Sequence, residues 1–155
     1  MKKTINELQE IVIAYSERFT RISESDFVNR PAPEKWSKKE VVGHLIDSAQ
    51  SNLRRFVVAQ YEANPKITYD QNFWVTSNDY QHQPSTDVIQ LWKLLNLQIC
   101  AVLKSMSVEN YTRTADTGKQ SVQLHTLEWL AEDYVKHLKH HINQIIPASF
   151  NITYP

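Results

Sequence analysis

Apolar residues recur along this chain in steps of three and four. Ile5, Leu8, Val12, Tyr15, Phe19 and Ile22 fall on one stripe of a 3.6-residue repeat, which predicts an amphipathic helix. Pro31 and Pro33 interrupt the chain after it. A second helix is announced by Ser37 and Glu40, a capping box in which hydroxyl and carboxylate reciprocally satisfy free N–H groups of the first turn. Trp36 stands where it can staple onto Val41, and the stripe continues through Leu45, Ala49, Asn52 and Phe56 before fading near Tyr61. A third helix follows Pro84, with Ser85 or Thr86 as N-cap and a stripe of Val88, Trp92, Leu95, Ile99, Val102 and Met106. The fourth is predicted from about Thr126 to Ile146, stopped by Pro147, and its stripe reads Leu127, Leu130, Tyr134, His137, His141, Gln144 and Ala148. Four such helices predict an all-α fold, a four-helix bundle forming a single domain over residues 1–155.

Between the second and third helices, residues 61–84 lose this periodicity and carry Tyr61, Tyr69, Phe73, Trp74 and Tyr80. A loop of that length in a compact domain is usually functional or disordered. Its aromatic content predicts an ordered flap on the bundle, with Phe73 and Trp74 capping the core.

Composition narrows the classes. Lys plus Arg and Asp plus Glu each number 17 in 155 residues, so the formal charge is zero. No basic stripe is visible, which argues against nucleic acid as a partner. No apolar run reaches the length of a membrane span. The start, MKKTINELQE, turns polar where a signal peptide needs an apolar stretch. Cys100 is the single cysteine, excluding an intrachain disulfide, and the expected location is cytoplasmic. Beside an apolar stripe, Cys100 reads as a buried, inert thiol. Two glycines, Gly43 and Gly118, are few for a fold built on hairpins, and no glycine-rich phosphate loop occurs.

The candidate chemistry lies in the histidines. His137 and His141 are four apart, so a helix carries both rings on one face with Cβ atoms roughly 5–6 Å apart. They occupy positions that the other helices fill with aliphatic and aromatic residues. A buried imidazole left unpaired costs ~1–3 kcal/mol. Hydrogen-bond partners or one shared metal ion would each meet that need, and the pair alone does not decide between them. His44, in EVVGHLIDSAQ, falls at the border of its stripe beside Val41 and Ser48, where periodicity does not force it inward. His140 points about 60° away from His137 and reads as solvated. His82 lies in the loop, and His125 precedes the fourth helix. Asp133, one turn before His137, is a candidate acceptor for that ring's free N–H, and Asp47 is a weaker one.

WSKKEVVGHLIDS, a third helix and then HLKHHINQI together resemble the DinB-like (YfiT-like) family of metal-binding four-helix bundles. The likeness runs from the first helix to Pro147. It implies that one histidine of the second helix and an H-x-x-x-H pair of the last bind a single divalent metal. Those positions are matched by His44, His137 and His141, and the pattern extends as H-x-x-x-H-x-x-Q to Gln144. Zinc or nickel is expected first, and iron, cobalt or manganese are alternatives. Three protein ligands leave a coordination position open, as in catalytic rather than structural zinc sites. Neutral ligands leave the ion its full charge, which acidifies a bound water or thiol. The resemblance then implies an enzyme that activates a low-molecular-weight thiol for S-transfer to a small electrophile. Two alternatives stay open: a hydrolase using metal-bound water, and a non-catalytic bundle that binds a small ligand or partner. A homodimer is also implied. The family's name comes from DNA damage, yet zero net charge and no basic stripe argue against DNA contact. No residue is assigned as a separate catalytic base.

Overall fold

The computed structural model describes residues 1–154. Four long helices, α1 (Lys2–Phe19), α3 (Lys38–Val58), α5 (Ser85–Ser105) and α6 (Leu127–Ile145), form the bundle, and α2 (Glu24–Phe27) and α4 (Gln71–Asn78) are short. α5 packs on both α1 and α3, while α6 packs on both α3 and α1. The ring of neighbours therefore runs α1–α5–α3–α6, and α1 stands across the core from α3. Helices consecutive in sequence thus sit at opposite corners at two of the three connections, which segments 20–37 and 106–126 span.

Of the stripes predicted for the first two long helices, Ile5, Leu8, Val12, Tyr15 and Phe19 are buried on α1, and Val41, Leu45, Ala49, Asn52 and Phe56 on α3, while Ile22 lies past the end of α1 and is only partly buried. The capping box forms, with the Glu40 backbone N–H donating to Ser37 Oγ at 3.1 Å and Ser37 N–H to Glu40 Oε2 at 2.8 Å. On α5 the seam is shifted. Val88, Trp92, Ile99 and Met106 are buried, but Ile89, Asn96, Cys100 and Leu103 join them, whereas Leu95 and Val102 are only partly covered. Its N-cap is Pro84, without a side-chain cap, rather than Ser85 or Thr86. The Cys100 thiol is buried and pushed up by that burial, in keeping with an inert role.

Segment 61–84 is an ordered flap, folded into α4 and a 3-10 turn at Tyr80–His82. The residues that cap the core differ from those expected. Phe73 is 69% exposed, and Val75 and Tyr80 are buried instead. Tyr80 reaches the bundle because Gly43 leaves room for its ring: a Cβ on Gly43 would lie 2.1 Å from Tyr80 Cδ2.

A two-stranded antiparallel hairpin, β1 (Thr114–Asp116) with β2 (Leu124–Thr126), precedes α6. Its turn closes on Asp116 Oδ1, which accepts the Gly118 and Gln123 N–H groups, both at 2.9 Å. The few glycines argued against hairpins, but here a carboxylate holds the turn and Gly118 sits against Ser121 O, where a Cβ would approach to 1.7 Å. Among the described residues no helix is long and apolar enough to cross a membrane.

Candidate metal centre

α3 and α6 are neighbours in the ring, and each brings histidines to their shared seam. His44 is buried at 1% exposure, with Trp36 against its ring at 5.1 Å between centroids. Its inward position exceeds what periodicity indicated, because α2, the flap, α5 and α6 all pack on α3. Residues 39–49 are consequently buried around the whole helix. His137 and His141 are half-buried on α6.

The three rings converge. Each of His44, His137 and His141 offers a ring nitrogen within 4.8 Å of the other two. His44 Nε2 and His137 Nε2 lie 3.3 Å apart. Two ligand atoms on an ion about 2.0–2.1 Å from each would be roughly 3.3 Å apart in a tetrahedral arrangement. Burial pushes the His44 imidazolium down to about 3, with the nearby His141 adding to it. Burial also holds His137 well below its ordinary value, reinforced by His141, His44 and the Arg55 guanidinium. His141 is lowered by burial too, against an opposing hydrogen bond from Gln144. All three are therefore neutral bases with free lone pairs near neutral pH.

The surroundings define how the rings are held. His141 Nδ1 lies 2.9 Å from Gln144 Oε1, an acceptor, so Nδ1 carries the proton and Nε2 the lone pair. The Gln144 amide is in turn set by donation to His140 Nε2 at 3.1 Å. His140 is thus half-buried and hydrogen-bonded, not solvated as its angle indicated. The Nδ1 atoms of His44 and His137 are buried without hydrogen-bond partners among the described residues. The Nε2 atoms of the same two rings face each other at 3.3 Å, where a cation would take a lone pair from each. The donor set fits a divalent metal of the imidazole-binding kind.

The two carboxylates do not act as ring acceptors here. Asp133 accepts from the Tyr154 hydroxyl, at 3.1 and 3.3 Å, rather than from His137. Asp47 Oδ1 accepts from Tyr80 Oη at 2.6 Å and from Asn78 Nδ2 at 3.0 Å, and burial pushes Asp47 up to about 6. His82 is exposed and pairs with Asp79, and His125, on β2, stacks on Trp129.

Two clefts border the cluster. One, about 560 Å³, is bordered by Trp36, Lys38, Gln71 and Gln144 and reaches His141. The other, about 280 Å³, is bordered by Arg55, Tyr69, Asp133 and Tyr154 and reaches His137. Arg55, Tyr69 and Tyr154 carried no periodic signal of function in the sequence. Their roles follow from the fold, which turns an otherwise ordinary helix surface into a cavity wall.

A family model described as the DinB superfamily matches residues 11–145. YfiT of Bacillus subtilis (strain 168), whose name proposes a metal-dependent hydrolase, is 28% identical over 115 residues, 74% of this chain. The match spans 64% of that relative's own length, less than two thirds. The solved structure of YfiT from the same species, described as an unusual four-helix bundle, superposes with a TM-score of 0.84 at 25% identity, covering 93% of this chain and 82% of the other. The mycothiol-dependent maleylpyruvate isomerase superposes with a TM-score of 0.71, covering 91% of this chain and 59% of its own, at 11% identity, a likeness of fold alone.

Proposed function

The chain belongs to the DinB superfamily, and on that premise we propose that His44, His137 and His141 hold one divalent ion at the centre of a metal-dependent enzyme. The observation that carries this is the convergence of three neutral imidazoles, with the Nε2 atoms of His44 and His137 facing each other at 3.3 Å. When bound, such an ion supplies Lewis acidity that makes a coordinated thiol or water far more acidic than in bulk solvent.

The protein's own groups prepare the site. Gln144 fixes the tautomer of His141 and is itself fixed by His140. Trp36 covers the face of His44. The clefts at His141 and His137 admit two molecules to one centre from different sides. That arrangement suits a reaction between two organic substrates, and we assign S-transfer from a low-molecular-weight thiol to a small electrophile. The name of the isomerase neighbour also includes a thiol dependence. Zinc or nickel suits the donors best, and the active species is proposed as a homodimer. The second reading, hydrolysis, is favoured by the name of YfiT and would use water in place of the thiol.

The test replaces the native ion with cobalt(II). A thiol substrate should add a sulfur-to-metal charge-transfer band that saturates with concentration, and the same thiol should be consumed once an electrophile is supplied. His44→Ala should lose both responses. No band and no turnover across a panel of cellular thiols would transfer the assignment to hydrolysis.

A further inference from the structure

Arg55 is half-buried on α3 at the wall of the 280 Å³ cleft that ends at His137. Buried guanidinium groups are ordinarily matched by a carboxylate, because removing the charge from water is costly. Among the described residues no carboxylate oxygen lies within 4.0 Å of Arg55. Its fixed partners are neutral. Nε and Nη2 donate to Ile67 O at 3.1 and 2.7 Å, and Nη1 donates to Asn52 Oδ1 at 3.2 Å. Those bonds lock the side chain in place, and they leave part of a guanidinium's five N–H donors uncommitted. Asp133, on the same cavity wall, is close enough to favour the charge, but its oxygens are engaged by the Tyr154 hydroxyl.

We propose that Arg55 is a carboxylate-binding group, and that this cleft takes a small molecule whose carboxylate sits on Arg55 while its other end reaches His137. A planar guanidinium pairs with a carboxylate through two parallel hydrogen bonds, giving orientation as well as affinity. Arg55 and His137 line the same cleft, so a molecule seated on the guanidinium faces the imidazole. The Tyr69 hydroxyl, on the same cavity wall, offers a neutral polar contact along the remainder of the molecule. Only the consequence for reactivity rests on the proposed function. Binding itself requires Arg55 and the cavity alone.

Butyrate is a suitable probe, with butyramide as its neutral counterpart and inorganic phosphate as a competing oxyanion, at constant ionic strength. The full chain is titrated with and without added zinc, and the Trp129 indole N–H resonance, at the cavity wall, reports occupancy. Butyrate should shift it saturably in both states, and butyramide should not. Arg55→Gln should weaken butyrate at least tenfold. Because Arg55 also anchors Ile67, Asp133→Asn provides an independent arm: it removes a like charge from the cavity and should tighten butyrate by about threefold or more. His44→Ala, which removes a proposed metal ligand, should leave butyrate binding in place, so failure of the metal reading would not mimic failure here. Equal shifts from butyrate and butyramide, no response to either cavity substitution, or chloride displacing butyrate at equal concentration would overturn the proposal. Phosphate binding more tightly than butyrate through Arg55 would overturn the carboxylate assignment.

Discussion

Alanine at His44, His137 or His141 is expected to abolish tight binding of the ion, while circular dichroism still reports a folded bundle. His82→Ala should leave metal content unchanged, because His82 is exposed and pairs with Asp79. His140→Ala should have a small effect, through the loosened Gln144 amide. Equal losses from all five would contradict the assignment. The pair His137 and His141 could be read from its spacing, since four residues on a helix bring two side chains to one face. His44 could not be placed that way. Periodicity assumes one packed face and one wet face, while α3 is enclosed on every side over residues 39–49. Only the family resemblance singled it out. Gly43 supplies a separate test. Adding a methyl group there drives Cβ into the Tyr80 ring, so Gly43→Ala should cost about 1–3 kcal/mol in thermal or urea unfolding. It should also disturb the Tyr80–Asp47 hydrogen bond.

The elements were most legible where local chemistry alone decides them. The Ser37–Glu40 cap announced the start of α3 to within a residue, because its bonds are formed by neighbours in sequence. Ser37→Ala should destabilise by about 1 kcal/mol or more, since the buried Ser37 hydroxyl also donates to Gln81 Oε1 at 2.7 Å. The hairpin before α6 was not legible. Its turn depends on Asp116 reaching two backbone N–H groups, and glycine count does not register that. Glu40 adds a pH signature. Burial alone would raise its carboxyl, but the Arg30 guanidinium and the Ser37 N–H outweigh burial and hold it below the ordinary 4.5. A depressed folded-state value means stabilisation that is complete above the unfolded value and is lost as pH falls through the folded one. The melting temperature of the native chain should therefore exceed that of Glu40→Gln at pH 7, and the gap should close as pH drops below about 4.5. A gap constant with pH would show that the carboxylate charge contributes nothing.

For the whole molecule, four apolar stripes indicated a bundle but not the order of its helices. The ring α1–α5–α3–α6 is set by long-range packing, and it alone makes α3 and α6 neighbours and hence brings His44 to the pair. An extensive apolar cluster drawn from all four long helices holds the bundle together, so removing the ion should lower thermal stability without unfolding the chain. A ligand at 100 times its Kd adds about 2.7 kcal/mol, and chelation should reduce the melting temperature by an amount of that order. The most direct measurement of the central claim is X-ray absorption at the metal edge, combined with metal content, on protein purified without a histidine tag. The account predicts one divalent ion per chain, with three imidazole nitrogens at about 2.0–2.1 Å if it is zinc, and loss of that signal in His44→Ala. One tightly bound ion with an unchanged spectrum in His44→Ala would contradict it.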